Sequence, residues 1–303
     1  MTRSQGNVRI GISGWHYRGW RGRFYPPGLR QKDELAYAAS KFSSVEINGT
    51  FYRMQTPDSF GVWTDVTPDP FVFAIKGPRF ITHMLKLTRA KTPLANFFAS
   101  GVLRLGKKLG PILWQLPPNL GFNSDRLEEF LALLPYTTGA ARKLARGHDA
   151  KLKSKAWLKF DGNREIRHAL EIRHESFKTV EFIRLLRKFN IALVCADSVD
   201  WPLLTDLTAD FAYCRLHGSE TLYASGYDNR ALRIWSRRVT RWAKGDVVAE
   251  RDTLIDKPVA DARRRDVYVY FDNDAKVRAP VDAMALRAKI ERARALEHPA
   301  RVS

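Results

Sequence analysis

The sequence predicts an α/β fold, a single (β/α)8 TIM-like barrel. Three observations predict it: eight short β-like runs in order, amphipathic helical stretches between most of them, and no glycine-rich phosphate turn after the first run. The β-like runs cover residues 8–13, 44–48, 71–76, 112–116, 168–173, 192–197, 211–217 and 267–271. Strand–helix alternation calls for a parallel sheet with helical crossovers, and eight repeats of the unit make closure into a barrel the simplest arrangement. The missing phosphate turn weighs against the rival, an open doubly wound sheet.

The helical stretches are 32–42, 57–66, 93–109, 124–134, 176–189, 229–244 and 281–294. Ser124 is placed as the N-cap of its helix. Pro57 opens a helix at a position where a missing N–H costs little, and Gly110-Pro111 is expected to close the helix before the fourth strand. Two segments break the rhythm. Residues 136–167 form a basic insertion between the fourth helix and the fifth strand, with Arg142, Lys143, Arg146, Lys151, Lys153, Lys155 and Lys159. Residues 245–265 form a mixed-charge loop that ends in Arg263-Arg264-Arg265. Both are expected as surface excursions on one domain spanning 1–303, with a core from about 8 to about 295 and a frayed tail from about Leu296.

Composition bounds the function classes. With 303 residues and 45% hydrophobic side chains the chain has material for one large core, and barrels reach this length as one domain. There is no apolar run of about 18 residues, so no membrane partner is expected. The start lacks the apolar stretch of a signal peptide, which points to the cytoplasm. Cys195 and Cys214 are too few for a disulfide framework or a cysteine metal site. By strand parity their sulfurs are expected in different layers, buried and reduced. The net charge of +19 favours polyanions, because neutralised phosphates release counterions; solubility in a basic proteome explains it equally.

The two-residue strand period locates the polar groups. Glu46 and Asn48 share a face, as do Glu171 with Arg173 and Tyr213 with Arg215 and His217. In the third strand Phe71, Phe73 and Ile75 suit the helix-facing side, so Lys76 points into the barrel. The fourth strand offers Gln115 and the sixth Asp197, and the eighth runs into Asp272-Asn273-Asp274. Barrel interiors are normally apolar, and catalytic groups sit at the C-terminal strand ends. Buried charge is costly unless paired, so this convergence reads as a pocket. The structural alternative is an ion-paired plug, Glu46 with Lys76, and Glu171 or Asp197 with Arg173 or Arg215.

Several motifs resemble one family. Gly11-Ile-Ser-Gly-Trp-His-Tyr, Phe24-Tyr-Pro, Val45-Glu-Ile-Asn, Thr50-Phe-Tyr-Arg, Phe73-Ala-Ile-Lys and Ile81-Thr-His are similar to the opening half of the YecE-like proteins, domain of unknown function 72. Leu113-Trp-Gln-Leu-Pro-Pro, Leu170-Glu-Ile-Arg-His, Arg215-Leu-His-Gly and Tyr270-Phe-Asp-Asn continue the resemblance in order, over about 8–274. The resemblance implies a TIM barrel and supplies no reaction. Where the family pattern has Asn-Asn after the last strand, this chain has Asp272-Asn273, an extra carboxylate that either strengthens a cation site or sits outward.

Three chemistries fit these residues. In the first, Glu46, Glu171 and Asp197, with His217, ligate Mg²⁺ or Mn²⁺, while Lys76, Arg173 and Arg215 hold a phosphate. In the second, without metal, Lys76 is a Schiff-base nucleophile or proton shuttle beside His217 or Glu171. In the third, the protein is a nucleic-acid or phosphoester binding module without catalysis. Its basic loops and rim aromatics Trp15, Tyr17, Trp20, Phe51, Tyr52, Trp201, Tyr223 and Tyr227 would stack bases. Tyr52 and Tyr227 are expected to face the ligand. No nucleotide-cofactor signature is present. The reading preferred is a hydrolase or isomerase that binds a small anionic or phosphorylated substrate at the barrel mouth. Glu46, Lys76, Glu171 and His217 carry the chemistry. Asn48, Tyr52, Gln115, Arg173, Asp197, Arg215, Tyr227 and Asn273 bind the substrate.

Overall fold

The computed structural model describes residues 5–152, 155–218, 222, 225–246, 252–255, 264–274 and 277–297. Its strands are β1 Val8–Ser13, β2 Ser44–Ile47, β3 Val72–Lys76, β4 Leu109–Gln115, β5 His168–Glu171, β6 Ala192–Asp197, β7 Phe211–Leu216 and β8 Asp266–Phe271. Its α-helices are α1 Glu34–Lys41, α2 Gly49–Tyr52 (a single turn), α3 Pro57–Asp65, α4 Lys91–Ala99, α5 Ser124–Leu133, α6 Thr138–Ala145, α7 Val180–Lys188, α8 Asn229–Lys244 and α9 Arg278–Glu297. The strands pair in sequence order, all parallel, and β8 returns to β1 to close an eight-stranded barrel. All eight expected strands form.

The strand period splits the core into two layers. Facing the helices are Ile12, Val45, Phe73, Ile75, Trp114 and Leu170; facing the lumen are Ala74, Leu113, Ala169, Val194, Tyr213 and Tyr270. Small residues on the lumen side leave room for the tyrosines, whose rings at positions 213 and 270 stand 5.2 Å apart. The Tyr270 hydroxyl is 2.6 Å from Ser44 Oγ, so this polar handle is satisfied deep in the barrel. Each fully buried aromatic or branched side chain contributes roughly 1.5–3 kcal/mol, and the closed sheet lines both layers with them.

Helix punctuation follows the sequence with three corrections. Pro57 is the first residue of α3, and the Thr56 side chain accepts from Ser59 N as its cap. For α5 the cap is Asn123 and not Ser124: Asn123 is extended, and its Oδ1 accepts from Arg126 N at 2.8 Å. Gly110-Pro111 lies inside β4 and does not end a helix. The β3–β4 pairing slips there, from Phe73 opposite Leu109 to Ile75 opposite Ile112. A Cβ on Gly110 would stand 2.5 Å from Val72 Cγ1, so glycine lets the strands approach, and Pro111, with no N–H to donate, falls in the slip. The expected 93–109 helix breaks at Gly101, which is left-handed at φ 116°, into α4 and a 3-10 segment.

Residues 136–167 are less of an excursion than their charge suggests. Thr138–Ala145 is helical, Ala141 and Ala145 are fully buried, and Thr138 Oγ1 donates to Gly162 O at 2.8 Å. The small alanine face packs against the helical shell while the basic side chains surround it. Lys153, Tyr223 and Arg263 lie outside the described residues, as does most of the 245–265 loop, at whose end Arg265 is buried. Cys195 and Cys214 are both buried and not joined in a disulfide, but they are register partners on β6 and β7 and lie in the same helix-facing layer. The expected separation into two layers is therefore wrong, because parallel strands in register share their parity. No described helix is long and apolar enough to cross a membrane.

Candidate functional site

At the C-terminal end of the barrel Arg215, on β7, occupies the centre of the lumen and is fully buried. Its Nη1 donates to Glu171 Oε2 on β5 at 2.7 Å, and its Nη2 to Asp272 Oδ2 after β8 at 2.7 Å. Toward β2, Nη2 and Nε donate to Glu46 Oε1 and Oε2 at 2.9 and 3.2 Å. Glu46 also accepts from Ser13 Oγ at 2.9 Å and from the Tyr213 hydroxyl at 2.5 Å. Burial opposes ionisation of Glu171, yet the Arg215 and Arg173 guanidiniums outweigh it and hold the carboxyl below its usual range. Asp272 is held low in the same way, against burial, by Arg215 and by a hydrogen bond and charge from His217. A guanidinium shared by three carboxylates satisfies both sides of a costly burial.

Above this floor stands a second set of groups. Lys76, at the end of β3, is 6% exposed and lies with Nζ 4.2 Å from the Phe51 ring centre. No carboxylate comes within 4.0 Å of its amine among the described residues; Glu46 is committed to Arg215, so the Glu46–Lys76 pair of the structural alternative does not form, while its Glu171 pairs with Arg173 and Arg215 do. Burial, followed by the charge of Arg215, pushes the lysine down to about 8, while Asp272, Glu46 and Glu171 pull the other way. Arg173 binds Glu171 Oε1 through Nε and Nη2, each at 3.0 Å, and its guanidinium lies 3.5 Å from the Trp201 ring centre. Trp201 also meets His217 edge-on at 5.2 Å. His217 is fully buried with Nδ1 3.2 Å from Asp272 Oδ2. His83, beyond β3, is pushed down to about 4 by burial and then by the charges of Arg173 and Lys76.

Three side-chain amide oxygens belong to the same end of the barrel. Gln115 Oε1 at the end of β4, Asn48 Oδ1 after β2 and Asn273 Oδ1 after β8 are buried without a hydrogen-bond partner among the described residues. The amide nitrogen of Asn273 is engaged, donating to Ser225 O at 3.0 Å and to Asp282 Oδ2 at 2.8 Å. Orphaned buried acceptors are uncommon and mark places where a donor from outside belongs.

Glu46, Asn48, Lys76, Gln115, Glu171, Arg173, Arg215 and His217 therefore share the lumen at one end of the barrel; Asn273, on the same side of its strand as Phe271, is turned to the helix side, where its amide donates to Asp282 of α9. Asp197 does not join them. Ala192, Val194 and Ala196 take the lumen side of β6, so Asp197 turns outward and accepts from Trp235 Nε1 of α8 at 3.0 Å. Tyr227 is likewise away from the mouth: it is buried against Phe271, accepting from Gly218 N at 3.2 Å. Tyr52 is 68% exposed and lines a separate cleft of about 870 Å³ beside the mouth, with Phe51, Phe80, Met84, Arg79 and Arg89. Sequence parity passed over Ser13, which alternation of β1 from Gly11 places on the lumen side, and left Asp272 undecided between a cation site and the exterior.

The donor set does not fit a divalent cation. The oxygens of Glu46, Glu171 and Asp272 converge on the Arg215 guanidinium, Asp197 lies behind the sheet, and no three His, Cys, Asp or Glu side chains among the described residues are grouped to share an ion. The Mg²⁺ or Mn²⁺ expectation has no ligand cluster to rest on.

Comparison with known proteins places this geometry in a family. The chain is 25% identical over 243 residues to the UPF0759 protein YecE of Escherichia coli (strain K12), covering 78% of this chain and 82% of that protein. It is 27% identical over 116 residues to the UPF0759 protein YunF of Bacillus subtilis (strain 168), which is 37% of this chain and only 40% of YunF. The fold matches a DUF72 family protein of Thermotoga maritima MSB8 with a TM-score of 0.69 at 24% identity, covering 94% of this chain and 99% of that one. A DUF72 family protein of Enterococcus faecalis V583 matches with a TM-score of 0.64 at 16% identity, over 94% and 95% of the two chains. The family described as "Protein of unknown function DUF72" matches residues 9–302. With nearly the whole chain covered, the protein belongs to the DUF72 family, alongside the UPF0759 protein YecE.

Proposed function

We propose that the barrel mouth binds and processes a small anionic or phosphorylated substrate, as a hydrolase or isomerase, with Lys76 as its principal charged group. The observation that carries this is the lysine's environment: 6% exposed, facing the mouth, and without a carboxylate within 4.0 Å among the described residues. A cation so placed draws an anion. Arg173, held in position by Glu171 and Trp201, supplies a planar donor array for the same anion. Asn48 and Gln115 present acceptor oxygens to hydroxyls of the substrate. His217 beside Asp272 carries a proton, and Glu46 and Glu171 act through Arg215 as the fixed electrostatic floor. The test is calorimetric titration with inorganic phosphate and with ribose 5-phosphate, on wild type, K76M and R173M. Binding weakened about tenfold or more in both variants supports the assignment. Absence of heat with either anion, or equal affinity in K76M, overturns it.

A nucleic-acid module is a second reading, favoured by one observation, the outer cleft. Exposed Tyr52 and Phe80 stand there among Arg53, Arg79, Arg89 and Lys151, which suits bases stacked on rings with phosphates beside them. Salt-dependent binding of single-stranded oligonucleotides, weakened by Y52A, is its expected signature.

A further inference from the structure

We propose that Lys76 forms a covalent imine with a small aldehyde or ketone that carries an anionic group; the anionic half of this proposal rests on the reading above. The protein contains a natural contrast. Lys108 is as buried as Lys76, at 7% against 6% exposure, but its Nζ donates to Thr64 O at 2.7 Å and to Thr67 O and Oγ1 at 2.6 and 3.2 Å. That ammonium is fully occupied and structural. The Lys76 amine has the Phe51 ring face on one side and the mouth on the other, with neither a carbonyl nor a carboxylate holding it among the described residues. Its carboxylate neighbours are turned to Arg215 instead.

This arrangement raises the share of neutral, nucleophilic amine above that of an ordinary lysine. An amine becomes a nucleophile near neutral pH when it is desolvated or set beside another cation, and Lys76 has both, the cation being Arg215. Its downward shift to about 8 agrees with that placement. The neutral Nζ attacks the carbonyl carbon, a C–N bond forms, and the C=O π pair moves to oxygen to give a carbinolamine. Loss of the oxygen as water leaves the protonated C=N. In sum, ammonium and carbonyl give iminium and one water, so protons and electrons balance without another reactant. The apolar Phe51 face shields the iminium from water on one side. Arg173, two residues beyond the end of β5, holds the anionic group of the same molecule.

The experiment treats the full chain with glycolaldehyde phosphate, or with glycolaldehyde, at limiting concentration. Borohydride reduction and peptide mass mapping follow, with phosphate calorimetry run in parallel. The expected result is a reduced adduct at Lys76 formed about tenfold or more faster than at exposed lysines such as Lys91 or Lys188, faster with the phosphorylated aldehyde, and suppressed by phosphate. R173M is expected to reduce the advantage of the phosphorylated aldehyde over glycolaldehyde. Lys76 labelled no faster than exposed lysines, while phosphate gives heat, overturns the imine and leaves the anion site standing. Fast labelling by both aldehydes alike, with no heat from phosphate, overturns the anion site and with it the anionic half of the proposal.

Discussion

Arg215 on β7 and Glu46 on β2 grip each other across the lumen, Nη2 to Oε1 at 2.9 Å and Nε to Oε2 at 3.2 Å. The two strands are not neighbours, since β8 and β1 lie between them. The pair is therefore a tie between opposite walls. Removing its cation leaves Glu171 with only Arg173, Asp272 with only His217 close by, and Glu46 with only the Ser13 and Tyr213 hydroxyls. R215M is expected to lose about 3–5 kcal/mol of stability, read by urea unfolding. A variant as stable as wild type would show that these carboxylates find other partners at no cost.

Lys76 gives a stability signature of opposite sense. Its folded value is about 8 against an ordinary 10.5, so between those values the unfolded chain binds more protons and stability rises with pH. Below pH 8 the penalty is present in full. K76M is expected to stabilise the protein at pH 7 by up to about 3 kcal/mol, an advantage that shrinks toward pH 10.5. Urea midpoints across that range provide the check, and a K76M midpoint below wild type at pH 7 would contradict it.

Acid acts through Glu171 and Asp272, both held below their usual values in the folded state. Their contribution is present above the unfolded carboxylate range and is lost as pH falls through and below it. Compared with wild type, E171Q is expected to be less stable at neutral pH and to show a shallower loss between about pH 5 and pH 3. Parallel acid limbs for the two proteins would remove Glu171 from the account.

Gln115 and Asn273 separate binding from stability. Among the described residues Gln115 has a buried oxygen without a partner, which costs about 1–3 kcal/mol, so Q115M is expected to be at least as stable as wild type while binding ribose 5-phosphate less tightly. Asn273 donates to Ser225 O and Asp282, so N273A is expected to lose about 1–3 kcal/mol. Calorimetry and urea unfolding on the two variants make the comparison.

Local period carried most of the fold into view. Strands β1–β8 and the lumen positions of Glu46, Lys76, Glu171, Arg215 and His217 follow from two-residue alternation and from apolar residues on the helix side. Alternation fails where it lacks a reference face. In β6 small residues fill the lumen, so Asp197 looked inward until Val194 and Ala196 were seen to hold that side. Parity also says nothing about which acid meets which base. That Glu46 chooses Arg215 over Lys76 depends on guanidinium reach and fork geometry across the barrel, a relation between strands distant in sequence. The α6 helix was hidden because basic residues dominate 136–167, while the two buried alanines that anchor it carry little hydrophobic signal.

The guanidinium at the barrel's centre is a counter-cation tethered to the chain. It cannot exchange with solution, be stripped by a chelator or lose its proton in any ordinary buffer. The charge of the lumen floor is thus constant across ionic surroundings, and variation in how the mouth meets a ligand falls on Lys76, among the described residues the lumen cation brought close enough to neutrality to change state.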